Sequence, residues 1–222
     1  MQNVWPPVSS PSVKLAPRFY GRFVKRIFDL ALGIVALPFV GLEFVIVAPL
    51  IYREDKGAIF YNAQRIGQNG QPFIMYKYRT MYMNAPDIDD GEGSTYNAAD
   101  DPRLTKIGAM LRRTSLDELP QVINILKGQM SFIGPRPDIA REVELYQGEE
   151  PLKLRVKPGI SGYAQVYGRN SLPWRERLAF DVAYIKGQSF LLDVKIFFKT
   201  FAVVFGQEGV YEIPPNQQEP GN

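Results

Sequence analysis

Apolar and polar positions divide the chain into a polar tail, one long apolar run, a mixed body and a second polar tail. The run covers residues 27–52 and is interrupted, among charged residues, only by Asp29 and Glu43. At about 1.5 Å per residue, a helix of this length covers the ~30 Å hydrocarbon core of a bilayer. Pro38 sits in its middle, where it removes a helical hydrogen bond and bends the axis. Cations flank both ends, Lys25 and Arg26 before and Arg53 and Lys56 after, so charge bias selects no direction of crossing. Two readings fit the spacing equally: one spanning helix, or a helix-turn-helix over 25–53 that bends at Pro38 and leaves by the face it entered. A buried helix of a soluble core fits a run this apolar less well.

Beyond the run, residues 58–65 and 72–79 are rich in Ile, Phe and Tyr and are joined by G-Q-N-G, which predicts an antiparallel hairpin. Lys77 and Arg79 lie two apart and so share a strand face. That face is either a solvated basic edge or a pair of cations turned toward a site. Residues 84–101 are acidic, with Asp87, Asp89, Asp90 and Glu92 around Gly91 and Gly93. They lack the glutamate that closes a calcium loop and read as a lid or loop. Helices are expected over 106–113 and 142–157. Between 158 and 162, P-G-I-S-G predicts a turn whose free amides suit a phosphate. Residues 190–205 form a helix with one apolar side, with Lys195 and Lys199 on the other. It lies either in a membrane interface or in a core. Trp174 is likewise either a core residue or an interface anchor.

Composition narrows the chemistry. The 222 residues contain neither cysteine nor histidine. Thiol nucleophiles, Ser-His and Cys-His dyads and Cys/His zinc sites are therefore excluded. A metal would be held by oxygens, which points to Mg2+ or Mn2+. The net charge of +3 suits an anionic partner without choosing its class.

The densest cluster of chemistry is residues 112–137, R-R-T-S-L-D-E-L-P-Q-V-I-N-I-L-K-G-Q-M-S-F-I-G-P-R-P. Arg112 and Arg113 precede the acidic pair Asp117 and Glu118, and Arg136 follows between two prolines. Ser115 to Glu118 also fits a capping box, with Glu118 folded back on the helix start. The two readings are compatible, because a helix start directs free amides toward phosphate. Cations around an acidic pair suit phosphate binding with carboxylate chemistry. A glycosidase fits poorly, since adjacent carboxylates rarely flank a sugar ring. A membrane scaffold docking anionic lipid or nucleic acid on a basic face is the remaining alternative.

S-L-D-E-L-P-Q, K-G-Q-M-S-F-I-G-P-R-P and K-P-G-I-S-G-Y-A-Q-V, in that order, resemble the bacterial sugar transferases. These are monotopic phosphoglycosyl transferases that start glycan assembly on a polyprenol phosphate. The likeness runs over about 25–200. It implies an α+β, helix-dominated fold with a small antiparallel hairpin and a re-entrant N-terminal membrane helix kinked at Pro38. It implies four parts: a basic disordered tail (1–24), the membrane segment (25–53), a cytosolic catalytic domain with interfacial helices (54–205) and a C-terminal tail (206–222). It implies that Asp117 attacks the sugar-linked phosphorus of a UDP-sugar and expels UMP. Polyprenol phosphate at the cytoplasmic leaflet of the inner membrane then takes the sugar phosphate from Asp117. Glu118 holds Mg2+ together with Asp117, or handles a proton. Arg112, Arg136, Arg169, Lys77 and Arg79 bind phosphate. No nucleic acid is implied. Neither the sugar, the pathway nor the oligomeric state, a homodimer included, is legible.

Overall fold

The computed structural model describes residues 19–86, 101–168 and 172–206. Both tails, the acidic loop from Asp87 onward and Arg169 lie outside the described residues.

Helix α1 (Lys25–Asp55) contains the whole apolar run and continues through Pro38 and Pro49. The turn expected within 25–53 is therefore replaced by one helix, in which Pro38 removes a donor without ending the element. Only 17% of its most apolar window is buried, and Ile34, Val35, Phe39, Leu42, Val45 and Ile46 are exposed. A soluble core helix would bury these side chains.

Both ends of α1 are bonded to the same globular body. At its start, Lys25 pairs with Asp193, and Arg26 donates to the carbonyls of Ile125 (2.6 Å) and Leu126 (2.9 Å). Asp29 Oδ1 accepts from Ser131 Oγ (2.9 Å) and the Phe132 amide (3.0 Å). At its end, Glu54 accepts from the amide of Ile107 at 3.1 Å, and Asp55 binds Arg79 through both oxygens.

The predicted hairpin forms from β1 (Ala63–Ile66) and β2 (Pro72–Met75), antiparallel, with Ala63 opposite Met75. Helix α2 (Lys106–Thr114) begins at Thr105, whose hydroxyl accepts from the Gly108 amide at 2.9 Å. A Cβ on Gly108 would lie 1.9 Å from Thr80 O, so glycine lets the helix rest on the strand's continuation. A 3₁₀ helix (Leu116–Gln121) and α3 (Val122–Leu126) follow.

A second pair, β3 (Ser131–Ile133) with β4 (Gly159–Ser161), is parallel. It corrects the expectation of a free phosphate-binding turn at 158–162. The Gly159 amide donates to Pro135 O, and the Gly134 amide donates to Ser161 O. A Cβ on Gly159 would lie 2.2 Å from Gly134 N, so the two segments approach too closely for side chains.

The helix expected over 142–157 is two short ones, α4 (Ala140–Glu144) and a 3₁₀ helix (Glu150–Arg155). Gly148, at φ +53°, separates them. Helices α5 (Tyr163–Tyr167), α6 (Trp174–Gly187) and α7 (Phe190–Gly206) complete the body. Trp174 is buried and stacks on Tyr146, so it is a core residue. On α7, Ile196 and Val203 face the core, while Leu191, Phe198, Phe201 and Phe205 form an exposed apolar stripe.

Beneath this body, Lys153 is buried between Asp138 (2.7 Å) and Asp181 (2.9 Å). Burial pushes the Asp181 carboxyl up to about 6, against the pull of Lys153. A raised folded-state value means that the fold favours the protonated acid. Its contribution to stability is therefore full below about pH 4 and is lost as pH rises through about 6. Melting temperature should carry a falling component between these pH values. Asp181→Asn should flatten it in thermal denaturation across that window.

Candidate active site

The acidic pair lies in the 3₁₀ helix after α2. Ser115 adopts the left-handed conformation (φ 58°) and makes no side-chain cap bond. The expected capping box is therefore absent: the chain turns at Ser115, and Glu118 faces cations instead. Asp117 is 3% exposed, with Oδ2 2.7 Å from Lys77 Nζ. The same ammonium lies 3.5 Å from Glu118 Oε1, which is 2.9 Å from Arg136 Nη2. Burial opposes charge on Glu118, but Arg136 and Lys77 outweigh it and hold the carboxyl down at about 2. Glu118 is thus ionised throughout the physiological range.

Lys77 reaches the pair because its strand is held from three sides. Tyr61 N donates to Lys77 O (2.8 Å), Tyr78 N donates to Asp117 O (3.0 Å), and Asn124 Oδ1 accepts from the Tyr76 amide (3.0 Å). Asn124 is fully buried and also donates to Ile74 O (2.7 Å) and Gln129 Oε1 (2.9 Å). This residue escaped the sequence reading; an asparagine inside the apolar V-I-N-I-L segment was the available signal. Asn124→Ala would leave the Tyr76 amide and Ile74 carbonyl without partners, at a cost of about 2–3 kcal/mol. In a chain of this size that lowers the melting temperature by roughly 4–12 °C, measurable in detergent solution.

Arg136 projects from the P-R-P turn after β3 and its side chain is 44% exposed, so it is anchored to Glu118 yet open to a ligand. Arg79 departs from expectation. Although it lies two residues from Lys77 on the extended segment after β2, it is buried and donates to Asp55, Ala58 O and Met81 O. Its guanidinium is committed to tying α1 to the body and is not available for phosphate. Arg112 donates through Nε to Thr80 Oγ1 (3.0 Å) and bears electrostatically on Asp101. The structure thus brings Asp117, Glu118, Lys77 and Arg136 together and places Arg79 elsewhere.

Among the described residues, no three acidic side chains gather as a metal cage. The two adjacent carboxylates still fit a hard cation of the magnesium type, which binds one or two carboxylates together with substrate phosphates. A buried carboxylate beside a lysine, with an ionised glutamate and an open arginine next to it, is chemically able to attract anions and to offer an acid as nucleophile.

Comparison with known proteins supplies the family. Residues 20–207 match the family model described as bacterial sugar transferase. The chain is 41% identical to the exopolysaccharide production protein ExoY of Sinorhizobium fredii, over 88% of this chain and 92% of the relative. It is 38% identical to ExoY of Rhizobium meliloti, over 92% of this chain and 96% of the relative. Against the undecaprenyl-phosphate galactose phosphotransferase of Salmonella typhimurium it is 38% identical, over 86% of this chain but 42% of that longer protein. The chain belongs to the bacterial sugar transferase family and is a transferase.

Proposed function

We propose that this protein moves a sugar 1-phosphate from a UDP-sugar to polyprenol phosphate at the cytoplasmic face of the inner membrane, as a first step of exopolysaccharide assembly. The observation that carries the proposal is the placement of Asp117: buried, against Lys77, beside the Glu118–Arg136 pair. Relatives named as an undecaprenyl-phosphate galactose phosphotransferase and as exopolysaccharide production proteins support the substrate class.

An Asp117 oxygen attacks the phosphorus that bears the sugar. The bond from that phosphorus to the bridging oxygen breaks, and UMP leaves with the electron pair. A phosphate oxygen of the polyprenol phosphate then attacks the same phosphorus. The bond to Asp117 breaks, the carboxylate returns, and the product is a polyprenyl-diphosphate sugar. Lys77 orients Asp117 and screens the approach of an anionic substrate to a carboxylate, while Arg136 offers donors to phosphate oxygens. Glu118, ionised and held near 2, is poorly matched to proton transfer at neutral pH, which favours a carboxyl value near the working pH. It suits a metal ligand. Mg2+ held by Glu118 and Asp117 would neutralise charge on the diphosphate. Arg169, outside the described residues, remains a further candidate for the anionic substrate.

We read α1 as re-entrant. Its start bonds to α3, β3 and α7, and its end bonds to α2 and Arg79. A spanning helix would carry one of these ends to the far side of the bilayer, away from the body. The exposed middle of α1 and the stripe on α7 would then share one shallow membrane face. Incubating membranes with a panel of UDP-sugars and polyprenol phosphate and measuring UMP tests the function. Release that requires one UDP-sugar supports it; no release with any of them contradicts it.

A further inference from the structure

Of the two acids in the apolar run, Asp29 is satisfied by donors at the helix start, whereas Glu43 lies among exposed Leu42, Phe44, Val45 and Ile46. A carboxyl on a lipid-facing helix is costly and marks a function by default. Glu43 Oε2 accepts from the Tyr78 hydroxyl at 2.8 Å, while Oε1 is buried without a partner among the described residues. A pair bound so sparingly gives little stability that two apolar side chains would not give.

Tyr78 connects this carboxyl to the active site. It is 1% exposed and stacks on Phe60 at 5.4 Å, and Phe60 stacks on Phe44 of α1 at 5.7 Å. Its amide donates to Asp117 O at 3.0 Å, and its chain neighbour Lys77 binds Asp117 Oδ2. The aromatic stack supplies contact but little direction, since rings tolerate sliding. The hydroxyl–carboxylate bond supplies direction: between the anchors at the two ends of α1, it sets how the middle of the helix sits against the extended segment that carries Lys77.

We propose that Glu43 is a positioning residue which, through the Tyr78 hydroxyl, sets the depth of the membrane helix relative to Asp117 and so the meeting of the lipid acceptor with the phosphosugar adduct. This rests on the transfer reaction proposed above. Attack by Asp117 on the soluble donor depends on Lys77 and on the Tyr78 amide, which a phenylalanine at 78 keeps. Only the second step, with an acceptor in the bilayer, depends on helix depth.

The test uses the full chain in vesicles. Adduct formation is measured from UMP released without acceptor, and adduct decay after polyprenol phosphate is added. Tyr78→Phe and the double variant Glu43→Leu/Tyr78→Phe should slow decay about tenfold, the worth of one hydrogen bond, with formation within about twofold of the parent. Glu43→Gln, which keeps an acceptor, should retain both rates. A purely structural role predicts recovery in the double variant, where both partners are apolar, and that recovery would overturn the proposal. A second arm does not depend on turnover. The chain has no cysteine, so a fluorophore on Val45→Cys reports depth through quenching by brominated lipids. Its depth should shift with Tyr78→Phe and not with Glu43→Gln; equal depth in all variants overturns the proposal. If the parent forms no adduct, the transfer reading fails and the depth arm alone decides.

Discussion

Asp117→Asn should lower UMP release by at least ~10³-fold and leave no sugar phosphate on the protein, because an amide is not a competent nucleophile toward phosphorus. The effect should fall on kcat rather than on donor binding, since Lys77 and Arg136 remain. The fold should survive. Asp117 backbone O still accepts from the Tyr78 amide, and Lys77 still has Glu118 within 3.5 Å. Assays of UMP release beside a thermal melt separate the two effects. Turnover within tenfold of the parent would move the nucleophile elsewhere.

Arg136→Ala is the second large effect. The guanidinium lies 2.9 Å from Glu118 Oε1, with 44% of its side chain open to solvent. Charge-assisted bonds to phosphate contribute about 1.5–3 kcal/mol. Their loss should raise the KM for the UDP-sugar roughly 10–150-fold. Arg136→Lys should recover part of this, because an ammonium restores charge but not the forked donors. Arg136→Ala also frees Glu118 from one cation, so its carboxyl should titrate higher than in the parent. Donor saturation curves check the prediction, and an unchanged KM would remove Arg136 from the phosphate site.

Much of the architecture is written locally in the chain. Helix α1 follows from an apolar stretch too long for anything but a helix near lipid, and the β1–β2 hairpin from two β-prone segments around G-Q-N-G. Helix-dominated body and family were legible because long motifs recur in order. What stayed hidden depends on partners distant in sequence. Arg79 seemed equivalent to Lys77 by strand alternation, but Asp55, at the end of α1, claims it. The S-L-D-E tetrapeptide matches a capping box, yet the left-handed turn at Ser115 breaks the helix before the cap can form. Strands β3 and β4 have three residues each, too short for a period to show. Their pairing instead rests on Gly134 and Gly159, whose missing side chains look like turn signals. The 142–157 segment has helical composition, but Gly148 and Pro151 divide it.

The measurement that bears most directly on the central claim is intact-protein and peptide mass spectrometry after exposure to the donor UDP-sugar without acceptor. A gain equal to one sugar phosphate, mapped to Asp117 and lost when polyprenol phosphate is added, is the expected result. A protein that releases UMP only when acceptor is present, or that carries the gain on another residue, would contradict it.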